Sequence, residues 1–214
     1  MQTFRDGELE IVMGGPTGYG NNVFVVVDRS SGEAAFIDAP GDPEANIEAA
    51  EALGVRPSKI LLTHGHFDHT PSIDALKEKY GAKLYADAGE PGLKDGQLDQ
   101  PVKHGDTISV GHLVFQVLSV PGHTQGSTTY LCGKSAFVGD TLFPGGPRRS
   151  KDNAALLQEI ESIRRELYSL PDDTTIYPGH GATTTIGESK AEYAVFASRS
   201  HAPDLHGDVN WLES

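Results

Sequence analysis

One cysteine, Cys132, stands among the 214 residues, so no internal disulfide can form. A lone thiol fits a reducing compartment, and a cytoplasmic location is the expectation. Cys132 lies in the apolar run Tyr130-Leu131-Cys132 and reads as a small core residue, not a nucleophile. No stretch approaches the roughly 20 apolar residues of a membrane-spanning helix. The start, Met1-Gln2-Thr3-Phe4-Arg5-Asp6, lacks the apolar core of a secretory leader. Positive charge is also scarce, with 17 Lys and Arg against 30 Asp and Glu and a formal net charge of −13. A chain of that sign has no general basic face for a phosphate backbone, which argues against a nucleic-acid partner. With 37% hydrophobic and 22% charged residues the composition is that of a folded globular protein. Repeats, low-complexity tracts and long linkers are absent, so one domain over 1–214 is expected.

What is present alternates strand and helix in the first half. Glu8–Met13 predicts a first strand, and Asn22–Asp28 and Ala34–Asp38 predict a hairpin across Ser30-Ser31-Gly32. Gly14 to Gly20 is a loop, and no helix follows it to present amides to a phosphate. Asp42-Pro43 opens a helix with Ala45, Ala49, Ala52 and Leu53 as its inner face and Gly54 at its end. Lys59–Thr63 is the next strand. Thr70-Pro71 then starts a helix carrying Ile73, Leu76 and Tyr80 on one side, and Lys83–Ala86 is a short strand. Glu90–Lys103 has few apolar residues and reads as a surface loop. Four strands follow, at Thr107–Val110, Leu113–Val120, Ser127–Leu131 and Ser135–Val138. Leu156, Ile160, Ile163 and Leu167 mark a helix over Asn153–Leu170, before a last strand, Thr174–Tyr177, and a last helix, Gly187–Ser198. Such alternation implies an α/β fold with a sheet covered by helices.

The densest chemistry lies in Thr63-His64-Gly65-His66-Phe67-Asp68-His69, three histidines and a carboxylate directly after a strand. Imidazole and carboxylate are the usual nitrogen and oxygen ligands of zinc and neighbouring metals. On an extended segment His64 and His66 face the same way, because side chains repeat every two residues. Three later strand ends repeat the design: Pro121-Gly122-His123, Gly139-Asp140-Thr141 and Pro178-Gly179-His180. Proline and glycine beside a histidine force the chain out of the ladder. Any one of these alone reads as an ordinary turn; all four strand ends together read as a metal centre.

These motifs, in this order, resemble the metallo-β-lactamase-fold hydrolases, most closely the glyoxalase II-like (hydroxyacylglutathione hydrolase-like) branch, over about residues 8–181. The resemblance implies a four-layer αββα sandwich of two mixed β-sheets. It also implies two divalent metal ions, most simply zinc, with iron or manganese as the other candidates. His64, His66 and His123 would hold the first ion, Asp68, His69 and His180 the second, and Asp140 would bridge them. The implied reaction is thioester hydrolysis by a hydroxide shared between the two metals, with Asp68 steering the nucleophile or protonating the leaving group. Asp38 matches an aspartate that orients a ligand histidine in such enzymes, and a plain strand-end cap is its other reading.

Departures from the family pattern sort the alternatives. The best-studied zinc β-lactamases carry cysteine at the Asp140 position, and flavodiiron modules carry glutamate at the His66 position, so both readings recede. Only 34 residues follow His180, too few for the C-terminal helical region with which complete glyoxalase II enzymes grip glutathione. A substrate carboxylate could instead meet Arg148, Arg149 and Lys151, although a solvated loop before a helix is the plainer reading. The rival class is the one-iron persulfide dioxygenases, whose ligands would be His64, His123 and Asp140. A lactonase and a non-catalytic metal-binding protein complete the set. His104, His112, His201 and His206 have no ligand context and read as surface residues. Tyr19 and Phe143 are candidates for the cleft mouth, and Trp211 for packing of the tail or an interface.

Overall fold

The computed structural model describes residues 1–214. Strands β1 (Gln2–Asp6), β2 (Leu9–Gly14), β3 (Val23–Asp28) and β4 (Ala34–Ile37) form an antiparallel meander. β5 (Lys59–Leu61), β6 (Lys83–Asp87) and β7 (Gln100–Val102) then add in parallel to complete a seven-stranded mixed sheet in sequence order. The parallel additions need crossovers, and helices α1 (Pro43–Leu53) and α2 (Ile73–Tyr80) supply two of them. The second sheet has six strands in the order β13-β12-β11-β10-β9-β8. Its members are β8 (Thr107–Val110), β9 (Leu113–Ser119), β10 (Thr128–Cys132), β11 (Ser135–Gly139), β12 (Thr175–Pro178) and β13 (Thr184–Thr185). The β11–β12 pair is parallel across α3 (Asn153–Ser162), and α4 (Ile186–Ala197) follows β13.

Three apolar layers hold this together. Ile11, Phe24, Val26 and Ile37 from the first sheet meet Val110, Phe115, Val117 and Phe137 from the second. Ala49 and Ala50 of α1 and Ile73 and Leu76 of α2 cover the outer face of the first sheet. Leu156 and Ile160 of α3 and Phe196 of α4 cover the outer face of the second, together with Trp211. The result is the expected αββα sandwich of two mixed sheets. No helix is long and apolar enough to cross a membrane.

Several boundaries differ from the sequence pattern. β1 precedes the expected first strand; its residues are largely exposed, as on a sheet edge, so no hydrophobic alternation marks it. On α1 the buried positions are Asn46, Ala49 and Ala50, whereas Ala52 is exposed. The Glu90–Lys103 stretch is not simply a surface loop, because β7 lies in it and Glu90 is buried. The Asn153–Leu170 helix is α-helical only to Ser162 and closes in a π-helical turn over Ile163–Leu167. Its four apolar positions are all buried as expected. Trp211 is buried too, against Tyr168 and Tyr193, so it packs the tail onto the second helical layer.

Helix α3 presses on the turn that presents His123: a Cβ added at Gly122 would lie 2.3 Å from Glu159 Cβ. Glu159 is fully buried there, and neither carboxylate oxygen has a hydrogen-bond partner in the protein. Burial, with the Asp140 carboxylate adding to it, pushes its carboxyl up to about 9. The folded pKa exceeds the unfolded value of about 4.3, so the folded state is favoured below that pH and loses stability as pH rises toward about 9. Glu159→Gln is therefore expected to raise Tm by at least about 4 °C at pH 8 and to change it little at pH 4. Thermal melts at the two pH values decide it, and equal shifts would remove the ionisation account.

Candidate metal centre

Each candidate ligand leaves the C-terminal end of a strand at one edge of the sandwich. β5 runs out into Leu62-Thr63-His64, β9 into His123, β11 into Asp140 and β12 into His180. The first sheet thus contributes His64, His66, Asp68 and His69, and the second contributes the other three, so the centre sits on the seam between sheets. Two glycines permit the approach. A Cβ at Gly179 would lie 2.4 Å from Asp140 Oδ1 and 2.5 Å from His69 Cε1. At Gly139, whose φ is +54°, it would lie 2.3 Å from Thr63 Oγ1.

Three groups of donor atoms gather at this edge, one of them joining His64, His69 and Asp140. His64, His66 and His123 form one set and Asp68, His69 and His180 another, each with its ligand atoms within 4.8 Å of one another. Asp140 stands between them. Its Oδ1 is 3.4 Å from His69 Nε2, and its Oδ2 is 3.4 Å from His180 Nε2 and 3.9 Å from His123 Nε2.

Hydrogen bonds behind the rings decide which nitrogen faces inward. Asp38 Oδ2 accepts from His69 Nδ1 at 2.9 Å and from Thr63 Oγ1 at 2.9 Å, while Asp38 Oδ1 accepts from Thr63 N at 2.7 Å. With its proton committed to Asp38, Thr63 Oγ1 can accept from His64 Nδ1, 3.1 Å away. The carbonyl of Arg148 accepts from His123 Nδ1 at 3.1 Å. In all three rings Nδ1 is therefore held as the outward donor and Nε2 is turned toward the centre, an arrangement that raises ligand basicity. His66 instead presents Nδ1, which lies 3.0 Å from His123 Nε2. Asp38 accordingly does orient His69, and its φ of +60°, sparsely populated outside glycine, asparagine and aspartate, places its carboxylate there.

The residues fit a cation. His64 Nε2, His69 Nε2 and Asp140 Oδ1 are buried and have no hydrogen-bond partner in the protein, a set of lone pairs converging on one space. Burial holds His64, His66 and His123 below the ordinary histidine range, so they are neutral donors. Burial opposes charge on His69 as well, but Asp140 and Asp38 outweigh it and carry the ring up to about 10. His180, similarly opposed by burial, is raised to about 9 by Asp140 and Asp68. Burial would raise Asp68 and Asp140, yet the His180 ring, joined by Asn21 at Asp68 and by the charge of His69 at Asp140, keeps both well below the usual carboxylate range. A cation must displace the protons on His69 and His180, so loading at pH 7.5 is expected to release about two protons. Affinity should rise with pH up to about 10. Calorimetric titration in buffers of different ionisation enthalpy measures the release; none at all would contradict these charge states.

Several contributors escape the motif reading. Asn21 Nδ2 donates to Asp68 Oδ2 at 2.9 Å, and Asn22 Nδ2 donates to the carbonyls of Pro178 and Gly181, both at 3.0 Å, tying β3 to the His180 loop. Glu90 accepts from Gly65 N at 2.8 Å and from Thr124 Oγ1 at 2.7 Å. Only the polarity of Asn21-Asn22 at the head of an otherwise apolar strand could have signalled the first pair. Arg148, Arg149 and Lys151 are exposed on the loop after Asp140, with the Arg148 guanidinium 4.7 Å above the Phe143 ring. Arg149 is close enough to contribute to the depression of His66. Phe143 is buried 6.5 Å from His180, ring to ring, whereas Tyr19 and Phe67 are 64% and 68% exposed and meet edge to face at 5.0 Å. Tyr19 therefore belongs to the rim beside the Asp68 ligand. Away from the centre, His104, His112 and His206 are exposed, and His201 is half-buried with its ring stacked on Phe196.

Known proteins resemble this chain in sequence and in fold. The family model described as the metallo-beta-lactamase superfamily matches residues 16–192. A hydroxyacylglutathione hydrolase of Chelativorans sp. (strain BNC1) is 37% identical over 170 residues, 78% of this chain and 64% of the relative. The chain thus spans a little under two thirds of that relative's length. The hydroxyacylglutathione hydrolase GloC of Haemophilus influenzae is 32% identical and is matched over 86% of this chain and 96% of its own. The crystal structure of ETHE1 from Myxococcus xanthus is similar with a TM-score of 0.79 and 30% identity, covering 89% of this chain and 85% of that one. By sequence model and by fold, this chain belongs to the metallo-beta-lactamase superfamily.

Proposed function

We propose that the chain is a metal-dependent hydrolase of glyoxalase II type, acting on an S-acyl thiol or a related ester. The observation that carries this reading is Asp140, within 3.4 Å of His69 and His180 and 3.9 Å of His123, between two triads of donors. The two relatives named hydroxyacylglutathione hydrolase support the same class. Two divalent ions held by His64, His66 and His123 and by Asp68, His69 and His180, with Asp140 between them, would supply an activated water and polarise the substrate carbonyl. Zinc suits these donors, as do iron and manganese.

The protein's own groups do the rest. Asp38, Thr63 and the Arg148 carbonyl hold three rings in one orientation, so no reorganisation is needed when charge develops. Asp68, held ionised by His180 and Asn21, accepts the proton of the attacking water and hands it to the departing thiolate. Water and thioester thereby become a carboxylic acid and a thiol. Arg148, Arg149 and Lys151 offer a cationic rim to a substrate carboxylate, and Tyr19 with Phe67 offers an apolar one to the acyl chain. Assaying zinc-, iron- and manganese-loaded protein against S-2-hydroxyacylglutathione and simple S-acyl thiols tests the reading. Turnover lost on chelation and restored by metal supports it; no thioester turnover with any of the three metals removes it.

A second reading rests on a smaller set. His64 and His123, with ring centres 4.9 Å apart, and Asp140 form a two-histidine, one-carboxylate face suited to a single iron, as in persulfide dioxygenases. Elemental analysis per chain separates the two: about two ions favour hydrolysis, and a single iron with oxygen uptake on a persulfide favours oxidation.

A further inference from the structure

The loop carrying His64 and His66 and the loop carrying His123 come from different sheets. Within the ligand set the one hydrogen bond between the two loops joins His66 Nδ1 and His123 Nε2, 3.0 Å apart, and a cation held by those nitrogens would replace it. One side chain spans the gap. Glu90 sits just past β6, 7% exposed, with Oε1 2.8 Å from the amide of Gly65, the residue between His64 and His66. Its Oε2 accepts the Thr124 hydroxyl at 2.7 Å, one residue beyond His123, and the Gly126 backbone donates to the same carboxylate. Thr124 is itself held, because its amide donates to Ser127 Oγ at 3.0 Å.

The backbone around the bridge leaves no room for anything else. A Cβ at Gly65 would lie 2.0 Å from the Pro91 carbonyl oxygen, and one at Gly92 would lie 2.1 Å from the Gly65 oxygen. At Gly126 it would fall 2.5 Å from Glu90 Oε2. Main chain therefore packs on main chain at three glycines, and the carboxylate receives the buried donors on both sides. Once the loops close the Gly65 amide has no other acceptor and the Thr124 hydroxyl has only Ser127 Oγ, 2.8 Å away, and an unpaired buried amide or hydroxyl is costly.

We infer that Glu90 is a positioning residue for the first metal site, clamping the His64–His66 loop to the His123 loop so that their three ring nitrogens are set at ligand spacing before the ion binds. It rests on the metal-centre reading above. Glu90 touches no candidate ligand atom, so its action runs through the two loops. Preorganisation of this kind appears as metal affinity, because without the clamp the binding ion must itself order the loops.

The test compares zinc affinity, by chelator competition, and the visible spectrum of the cobalt form in wild type, Glu90→Gln, Thr124→Val and Thr124→Ser. Metal-free Tm is measured for each. Glu90→Gln keeps the shape but turns one acceptor into a donor facing other donors. It is expected to weaken the first zinc about 10- to 100-fold and to alter the cobalt spectrum. Thr124→Val should weaken zinc at least about threefold, and Thr124→Ser, which restores the hydroxyl, should bind like wild type. A purely structural role would lower metal-free Tm without changing affinity or spectrum, and that result would overturn the inference. Should Glu90→Gln fail to fold, the Val and Ser pair decides alone, with equal affinity in both overturning it. Wild type that binds no zinc, cobalt or iron would overturn the metal centre and the clamp together.

Discussion

Asp140→Ala is expected to lower kcat/KM for thioester hydrolysis about a thousandfold or more and to leave the purified protein with less than one metal ion per chain. The carboxylate lies near donors of both triads, 3.4 Å from His69 and His180 and 3.9 Å from His123. Removing it leaves a buried space lined by imidazoles with little counter-charge, and cations avoid such a space. His69 and His180 also each lose a carboxylate 3.4 Å away, leaving Asp38 and Asp68 as their partners, so their raised pKa values fall. His112→Ala is the control. That ring lies at the β8–β9 turn and bonds Asp28 at the far end of β3, where the strand ends opposite the ligands meet. Metal content and steady-state kinetics of both variants settle the matter. Wild-type turnover by Asp140→Ala would end the bridging assignment.

Stripping the metal with a chelator is expected to lower Tm by about 8–16 °C. The figure follows from linkage: saturation at a thousandfold above Kd contributes about 4 kcal/mol, and a chain of this size shifts about 2–4 °C per kcal/mol. The pH dependence carries its own sign. In the stripped protein His69 and His180 are imidazolium ions paired with Asp38, Asp68 and Asp140, at pKa values of about 10 and about 9. Both lie above the unfolded histidine value of about 6.5, so this pairing stabilises fully below that pH and is lost as pH climbs through about 9–10. The loaded protein holds the same rings neutral. The gap in Tm between loaded and stripped protein should therefore widen from pH 7 to pH 10, and calorimetry on the two forms measures it. A gap that narrows would mean that the paired imidazoliums are absent from the stripped state.

Both results depend on features of unequal visibility in the sequence. The candidate ligands were legible because each follows a strand end, where a turn residue and a histidine or aspartate announce themselves within three or four positions. The strands between them were legible because β3, β4, β10 and β11 are buried throughout and so are mostly apolar or β-branched. β1 was not, since an edge strand exposes most of its length. β7 was not, being three residues long with a proline in it. Asn21 and Glu90 belong to the centre only through contacts that span 25 to 159 positions of chain, and Thr63 meets Asp38 across 25. No local pattern records such a partner. The same holds for Trp211, whose aromatic neighbours lie on elements far upstream.

Cys132 adds a use that has nothing to do with the metal. It lies on β10 in the layer between the two sheets, 6% exposed, and burial pushes its thiol up to about 11. A thiolate reagent can reach it only when the sandwich opens. As the single thiol of the chain, it serves as a built-in clock, its labelling rate under native conditions counting how often the two sheets part.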